Sequence, residues 1–107
     1  MGLLRRRSAI STEAPVDEHG ATSIAALQPR QHVTVVGQVV HMRALPTSGL
    51  PSLLVTLSDG TGTLAVRWSG RRAIGGVGLG RRLRLEGLTV EGQGRLELVN
   101  PVYTLLP

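Results

Sequence analysis

The chain has 107 residues, which is enough for one domain with a modest core. All twelve basic residues are arginine, and neither lysine nor cysteine occurs, which excludes a P-loop lysine, Schiff-base chemistry, disulfides and thiolate metal sites. The net charge of +5 lies entirely within residues 23–107, and such a charge either attracts polyanions, nucleic acid first among them, or merely keeps the domain soluble. No apolar run has the length of a membrane span, and the N-terminus lacks the apolar segment of a secretory signal, so we expect a cytoplasmic protein.

The N-terminal part of the chain differs in composition from the rest. Residues 1–22 mix Ser, Thr, Pro, Gly and balanced charges without apolar periodicity, which predicts a disordered arm. The segment TSIAALQP that follows predicts a short helical turn, capped by Thr22 or Ser23 and stopped by Pro29. The predicted domain therefore covers residues 23–107, with this turn as a lead-in.

Two strands are predicted next along the chain. The valine-rich segment HVTVVGQVVHM, residues 32–42, predicts a long strand with Gly37 at a bend or a close approach. After a loop of turn-forming residues, SLLVTLS at 52–58 alternates in the manner of a half-buried strand. Its outer face carries Leu54, Thr56 and Ser58.

A tight turn connects the second strand to a third. Asp59-Gly60 is a typical hairpin sequence, and TLAVRWS at 63–69 alternates after it. Residues 71–82 then contain too many glycines for a good helix, so we expect a loop there with at most one helical turn.

The last part of the chain predicts two more strands. RLRLEGLTVE at 82–91 alternates, GQG forms a turn, and RLELVNPVYTLL at 95–106 forms the final strand, in which Pro101 suits an edge or a bulge. Five short strands in about eighty-five residues are too few for most β-sandwiches. We therefore predict an all-β fold, a five-stranded Greek-key barrel of the OB type, in which the usual helix between strands three and four is degenerate or absent.

Three segments of the sequence resemble a known family: VTVVGQVV, LLVTLSDGTGTLAVRW and GRRLRLEGLTVEGQGRLELVNPVY. They are similar to OB-fold nucleic-acid-binding domains such as the wedge domain of the fork-remodelling helicase RecG, and to the related anticodon-binding type, over about residues 24–106. The matching positions are Asp59, Gly60, Gly62, Gly80, Asn100, Pro101 and Tyr103. Where the helicase domain has consecutive aromatic residues, this chain has Arg67-Trp68, so the resemblance implies that one stacking platform is an arginine plane. We expect no helicase motor within these 107 residues, so the resemblance does not imply unwinding.

OB barrels bind oligonucleotides across the outer faces of strands two and three, which by alternation carry Thr56 and Arg67. Alternation points Trp68 inward as a core residue, whereas its place at a strand end allows a partly exposed stacking platform, and both interpretations stay open. Tyr103 is a second stacking candidate. Arginines at both ends of the glycine-rich loop between strands three and four are expected to meet in one phosphate-binding groove. The alternative is that they form only a solvated basic rim. They are Arg71, Arg72, Arg81, Arg82 and Arg84.

Other chemistry finds little support in the sequence. Asp59 is expected to be a turn carboxylate that accepts backbone N–H bonds, because no second carboxylate or histidine lies near it. The three histidines have no metal-like spacing, and GGVGLG at 75–80 does not follow the first strand of a βαβ unit, so we expect neither a metal nor a cofactor. No pairing of nucleophile and base suggests an enzyme.

The sequence therefore predicts a non-catalytic protein that binds nucleic acid, most of all single-stranded or junction DNA, with low sequence specificity and with DNA favoured over RNA. The alternative is an interaction module for a DNA-processing or membrane-associated protein partner. An outer apolar patch that includes Val40, Leu54 and Leu88 would favour that alternative.

Overall fold

The computed structural model describes residues 20–45, 49–92 and 94–107. Most of the predicted arm, residues 1–19, lies outside the described residues. Within these ranges, one 3₁₀ turn, Ile24–Ala26, precedes six strands. The strands are β1 (His32–Leu45), β2 (Ser52–Ser58), β3 (Thr63–Ser69), β4 (Arg82–Gly92), β5 (Arg95–Val99) and β6 (Val102–Leu106).

The strands close into a barrel. Each strand pairs with the next in the order β1–β2–β3–β5–β4, and β4 returns to pair with β1. All of these pairs are antiparallel except β3–β5, which is parallel. The predicted all-β, five-stranded Greek-key barrel is therefore confirmed.

The final predicted strand is interrupted. Asn100 adopts a left-handed backbone conformation with φ of 51°, and Pro101 has no N–H to donate to a ladder. β5 therefore pairs with β3 and the end of β4, whereas β6 pairs with the beginning of β4. The Asn-Pro pair converts one predicted strand into two segments that pair with different parts of the sheet.

The long first strand bends where the barrel turns a corner. A Cβ atom at Gly37 would lie 2.7 Å from the Ser58 carbonyl oxygen and 2.9 Å from Leu57 Cγ, so the predicted close approach is confirmed. A register shift between Val39 and His41 leaves Val40 as an extra residue opposite β2. Together these two features let one strand pair with β4 along its first half and with β2 along its second half.

The barrel core consists of Trp68 and aliphatic side chains from the lead-in turn, strands β1 to β5 and the linker between β3 and β4. No helix forms between β3 and β4, as predicted. Ile74 and Val77 from this linker are buried in the core cluster instead, and the Val77 N–H donates to the Ile74 carbonyl oxygen at 3.0 Å. Two apolar side chains on a tight turn thus anchor the linker to the barrel core without a helix.

The lead-in turn is tied to the barrel by groups distant in sequence. Ser23 occupies the cap position but makes no side-chain cap hydrogen bond. The Ile24 N–H donates to Asp59 Oδ2 at 2.8 Å, and the Ala25 N–H donates to the Thr61 hydroxyl at 3.1 Å. The predicted local cap is therefore wrong, because the β2–β3 hairpin already presents acceptors to these donors. Contact with the barrel begins before residue 23, since the Thr22 N–H donates to the Thr34 carbonyl oxygen at 2.8 Å.

The Asp59 carboxylate makes this connection dependent on pH. Burial raises its pKa, but hydrogen bonds from the Thr61 hydroxyl and from backbone N–H groups outweigh that effect and lower the pKa below 3.8. The ionised carboxylate therefore stabilises the fold above its unfolded-state pKa, and this stabilisation is lost as the pH falls through the lowered folded-state value. We expect the stability advantage of the wild type over Asp59→Asn to be constant near neutral pH and to shrink below about pH 4. Urea unfolding of both proteins across this range measures it, and an advantage unchanged down to about pH 2 would contradict the assignment.

Thr89 is a buried polar anchor for the turn that leads into β1. Its hydroxyl accepts the Gln31 N–H at 2.9 Å and donates to the Gln28 carbonyl oxygen at 2.6 Å, and the side chain is fully buried. Thr89→Val keeps the shape but leaves these groups without partners, so we expect it to lower the free energy of unfolding by about 1–3 kcal/mol. Urea denaturation tests this, with the exposed Thr104→Val as the matched control, for which we expect little change.

Candidate nucleic-acid interface

Strand register brings three arginines and a histidine to one outer surface. Residues paired directly across neighbouring strands share a face. Arg43 and Arg67 both pair with Leu54 of β2, and the next outward row is His41, Thr56 and Ala65. Glu97 of β5 pairs with Ala65, and Arg95 lies two residues before it on the same side. We call this surface the arginine face; it comprises His41, Arg43, Thr56, Arg67, Arg95 and Glu97.

A buried carboxylate lies within the arginine face. Glu97 is only 4% exposed, and its Oε2 lies 3.5 Å from Arg67 Nη2 and 4.0 Å from Arg95 Nε. Gly92 provides the room, because a Cβ atom there would lie 3.1 Å from Glu97 Oε1. Glu97 therefore pairs with the Arg67 guanidinium and lies near that of Arg95, while the face keeps an excess of positive charge from its three arginines.

Two further arginines extend the arginine face beyond the end of β3. Arg71 and Arg72 follow that strand, and both are exposed. The Gly70 N–H donates to the Pro51 carbonyl oxygen at 2.7 Å, which fixes the start of this segment beside the beginning of β2. Both arginines therefore leave the barrel at the end of β3 that carries Arg67.

The remaining predicted arginines lie on a different outer surface. Arg82 pairs with Gln38 of β1 and Leu106 of β6, and Arg84 is in the adjacent row of the same strands. Arg84 Nη1 lies 2.5 Å from Glu86 Oε2. Arg81 is exposed immediately before β4. Register therefore places Arg67 on the arginine face and Arg82 and Arg84 on another surface. Of the three arginines outside the strands, Arg71 and Arg72 follow the end of β3, and Arg81 precedes the start of β4.

The two predicted stacking residues form an aromatic pair inside the barrel end. Trp68 is 5% exposed, and its indole N–H donates to the Pro101 carbonyl oxygen at 3.2 Å. Tyr103 is partly buried, and its ring meets the Trp68 ring edge-on with centroids 6.0 Å apart. Of the two interpretations of Trp68, this geometry is that of a core residue with a satisfied N–H. Its ring is not presented to a strand lying on the arginine face.

Sequence reasoning missed Arg43 and Arg95. The predicted first strand ends at residue 42, which places Arg43 in the loop that follows. In the structure, β1 continues through Arg43 to Leu45. Arg95 is the first residue of the last predicted strand, and the sequence gives no sign that it lies near Arg67. Because cross-strand pairing decides which residues share a face, alternation within one strand gives no signal for bringing either arginine next to Arg67.

Among the described residues, no cluster of His, Cys, Asp or Glu has the arrangement of a metal site. Asp59 is the turn carboxylate that was predicted, since it also accepts the Thr61 N–H at 2.8 Å. Within the described part of the chain, no helix combines the length and apolar character needed to cross a membrane.

Solved structures share this architecture. The solution NMR structure of the second OB-fold domain of replication protein A from Methanococcus maripaludis matches with a TM-score of 0.63 and 19% identity, covering 78% of this chain and 92% of that one. A replication protein A heterotrimer bound to ssDNA matches with a TM-score of 0.57 and 16% identity, covering 89% of this chain and 71% of that one. No protein-family model and no curated protein matches the sequence. The closed barrel and these two likenesses together show that the chain has an OB fold.

Proposed function

We propose that this protein binds single-stranded nucleic acid without catalysing a reaction, and that the strand lies across the arginine face. The observation that carries the proposal is the register of β1, β2, β3 and β5, which gathers Arg43, Arg67 and Arg95 on one surface. OB folds bind oligonucleotides across this part of the barrel, between the loops that flank it. Arg71 and Arg72 continue the basic surface at the end of β3.

The chemistry of the arginine face suits binding along the phosphate backbone of a nucleic-acid strand. Planar guanidinium groups bind phosphates in a bidentate manner, and arginine planes also stack on bases. Glu97 accepts a hydrogen bond from Arg67, and this contact reduces the rotamer freedom that the Arg67 side chain would otherwise lose on binding. With few aromatic side chains to add stacking energy, we expect modest affinity and low sequence selectivity.

DNA is the ligand that we favour over RNA, because one structurally similar assembly is described as bound to ssDNA. Junction DNA is included in the proposal, since the sequence resembles the wedge domain of RecG. Neither preference follows from the arginine face itself, which presents guanidinium groups to a phosphate backbone common to all of these ligands.

The three apolar side chains named for the protein-partner alternative do not form one patch. Leu54 lies between Arg43 and Arg67 on the arginine face. Leu88 pairs with His32 at the beginning of β1, and Val40 is the extra residue of the β1 bulge. The three side chains named in that alternative therefore lie on separate parts of the surface, and nucleic-acid binding is the better supported function.

Fluorescence anisotropy of labelled single-stranded DNA, RNA, duplex and forked DNA tests the proposal, at several salt concentrations between about 50 and 200 mM. Three or four phosphate contacts at about 0.7 each predict a slope of about −2 to −3 for log affinity against log salt with single strands. Binding to single-stranded and forked DNA is expected to exceed binding to duplex and to RNA. Absence of binding to every probe at the lowest salt would contradict the proposal and favour a protein partner.

A further inference from the structure

The arginine face includes one histidine, His41. Register pairs it with Thr56 of β2, in the row next to the one that holds Arg43 and Arg67. Histidine is the residue type that changes its charge between about pH 5 and pH 8, whereas guanidinium groups stay charged throughout this range. The proposed function uses only the permanent charges of the arginine face, so it leaves this histidine without a role.

The His41 side chain points away from the barrel core. Met42, the next residue, packs against the core cluster, so alternation along β1 directs both His41 and Arg43 outward. Both of these outward side chains are exposed. Among the described residues, none forms an ion pair or a hydrogen bond with the His41 imidazole. Its ring nitrogens can therefore donate to a ligand that lies on the arginine face.

The charged groups closest to His41 along the backbone are positive. Arg43 lies two residues away on the same strand and the same face, at a spacing of about 7 Å between Cα atoms. On one side of β1, β2 carries no charged side chain, and the next strand presents Arg67. On the other side, the Arg81 carbonyl oxygen accepts a backbone N–H of β1 at 2.9 Å.

The carboxylates in this region are engaged with other groups. Glu97 lies in the same row as His41 but three strands away, and its Oε2 is 3.5 Å from Arg67 Nη2. Asp59, in the β2–β3 turn, accepts the Ile24 N–H at 2.8 Å. Because an opposite charge within about 4–6 Å favours the charged form of a titratable group, the charge that favours a protonated His41 has to come from a ligand.

A bound phosphate supplies that charge. His41 and Arg43 project from the same face of β1, so a phosphate backbone that contacts Arg43 passes beside the imidazole. Proton binding and phosphate binding are then linked in both directions. Binding of the strand draws a proton onto His41, and protonation of His41 strengthens binding of the strand.

We propose that His41, in its protonated form, is a phosphate contact of the arginine face, and that it makes nucleic-acid binding stronger as the pH falls from about 8 to about 5.5. This inference rests on the proposed function, because the arginine face brings the phosphates to His41. The imidazolium attracts a phosphate, whereas the neutral imidazole adds no net charge. To the permanent charges of its three arginines, the arginine face thus adds one that depends on pH.

The first test measures the affinity for oligothymidylate by anisotropy at about pH 5.5 and about pH 8, at one ionic strength. Thymine has no ring nitrogen that takes up a proton in this range. We expect the wild type to bind about 1.4- to 5-fold more tightly at the lower pH, as one exposed ion pair would contribute. His41→Gln is expected to lose most of this difference. His32→Gln is the matched control, because His32 is also exposed but pairs with Leu88 away from the arginine face, and we expect it to keep the difference.

Equal wild-type affinities at the two pH values would overturn the inference and leave the proposed function intact. A difference that persists in His41→Gln, or that His32→Gln removes, would also overturn it, because the titrating group would then lie elsewhere. Failure of the wild type to bind at both pH values would overturn this inference together with the proposed function.

The second test measures the protons taken up on binding, by calorimetry at about pH 6.5 in two buffers with different ionisation enthalpies. We expect the wild type and His32→Gln to take up a fraction of a proton per complex, and His41→Gln to take up less. A merely structural role of His41 would change the affinity without changing this uptake. Equal uptake by His41→Gln and His32→Gln, both with wild-type unfolding curves, would overturn the inference.

Discussion

Replacing Arg43 and Arg71 together with glutamine is expected to weaken binding of single-stranded DNA by about 2- to 30-fold, as two exposed ion pairs would contribute. The salt slope is expected to become shallower by about 1.4, since each lost phosphate contact removes about 0.7. Both side chains are exposed and neither forms an ion pair with a described residue, so the barrel is expected to keep its stability. Anisotropy titrations at several salt concentrations measure both effects.

The pair Arg82→Gln and Arg84→Gln is the matched control for that experiment. It removes the same formal charge from the other outer surface, so any effect of net charge alone appears equally in both variants. We expect the control variant to keep most of the wild-type affinity for single-stranded DNA and most of its dependence on salt concentration. If it instead loses as much as the Arg43 and Arg71 variant, binding is not confined to the arginine face. If only the control loses affinity, the surface at the start of β4 is the binding site.

Gly37→Ala is expected to lower the free energy of unfolding by about 1–3 kcal/mol, the usual cost of forcing atoms into a packed interior. The added Cβ would meet the Ser58 carbonyl oxygen at 2.7 Å and Leu57 Cγ at 2.9 Å. The first of these is backbone of a paired strand and the second belongs to a fully buried side chain, so neither can move cheaply. Urea denaturation followed by Trp68 emission measures the loss.

Gly78→Ala provides the comparison for the Gly37 variant. A Cβ at Gly78 would have no neighbour within 4 Å, and its backbone is outside the positive-φ region. The same chemical change there is expected to leave the stability equal or to raise it slightly, because alanine restricts the unfolded chain. If both variants lost the same free energy of unfolding, the close contacts at the corner of β1 would not be the cause of the destabilisation by Gly37→Ala.

Much of the fold could be predicted from local patterns. The alternating segments around Asp59-Gly60 predicted the β2–β3 hairpin, and the structure pairs Ser58 with Thr63 across that turn. The glycine content of the linker predicted that no regular helix forms between β3 and β4, and none is present there. These predictions succeed because turn chemistry and period-two alternation act over a few residues, within the reach of sequence reasoning.

The lead-in turn and the last strand illustrate where local patterns fail. Ser23 has the chemistry of a cap, but Asp59, thirty-five residues away from Ile24, provides the acceptor. RLELVNPVYTLL alternates well enough to predict one strand, but Asn100 and Pro101 send its two halves to different parts of β4. In the first case the acceptor is distant in sequence, so no local pattern indicates it. In the second case the alternation continues across the Asn-Pro pair, so it does not show that the two halves pair with different parts of β4.

The sequence by itself determined the fold class, the basic surface and the inward alternation of Trp68, because composition and periodicity are properties of the chain alone. Only the tertiary structure decided that Arg43, Arg67 and Arg95 share a face while Arg82 and Arg84 lie on another, since that depends on which strands pair and in what register. It also decided that Trp68 and Tyr103 line one cavity with Asn100, because the bend after β5 brings β6 beside the end of β3. Register and closure are cooperative properties of the whole barrel: a shift by one residue would turn every side chain of a strand to its opposite face.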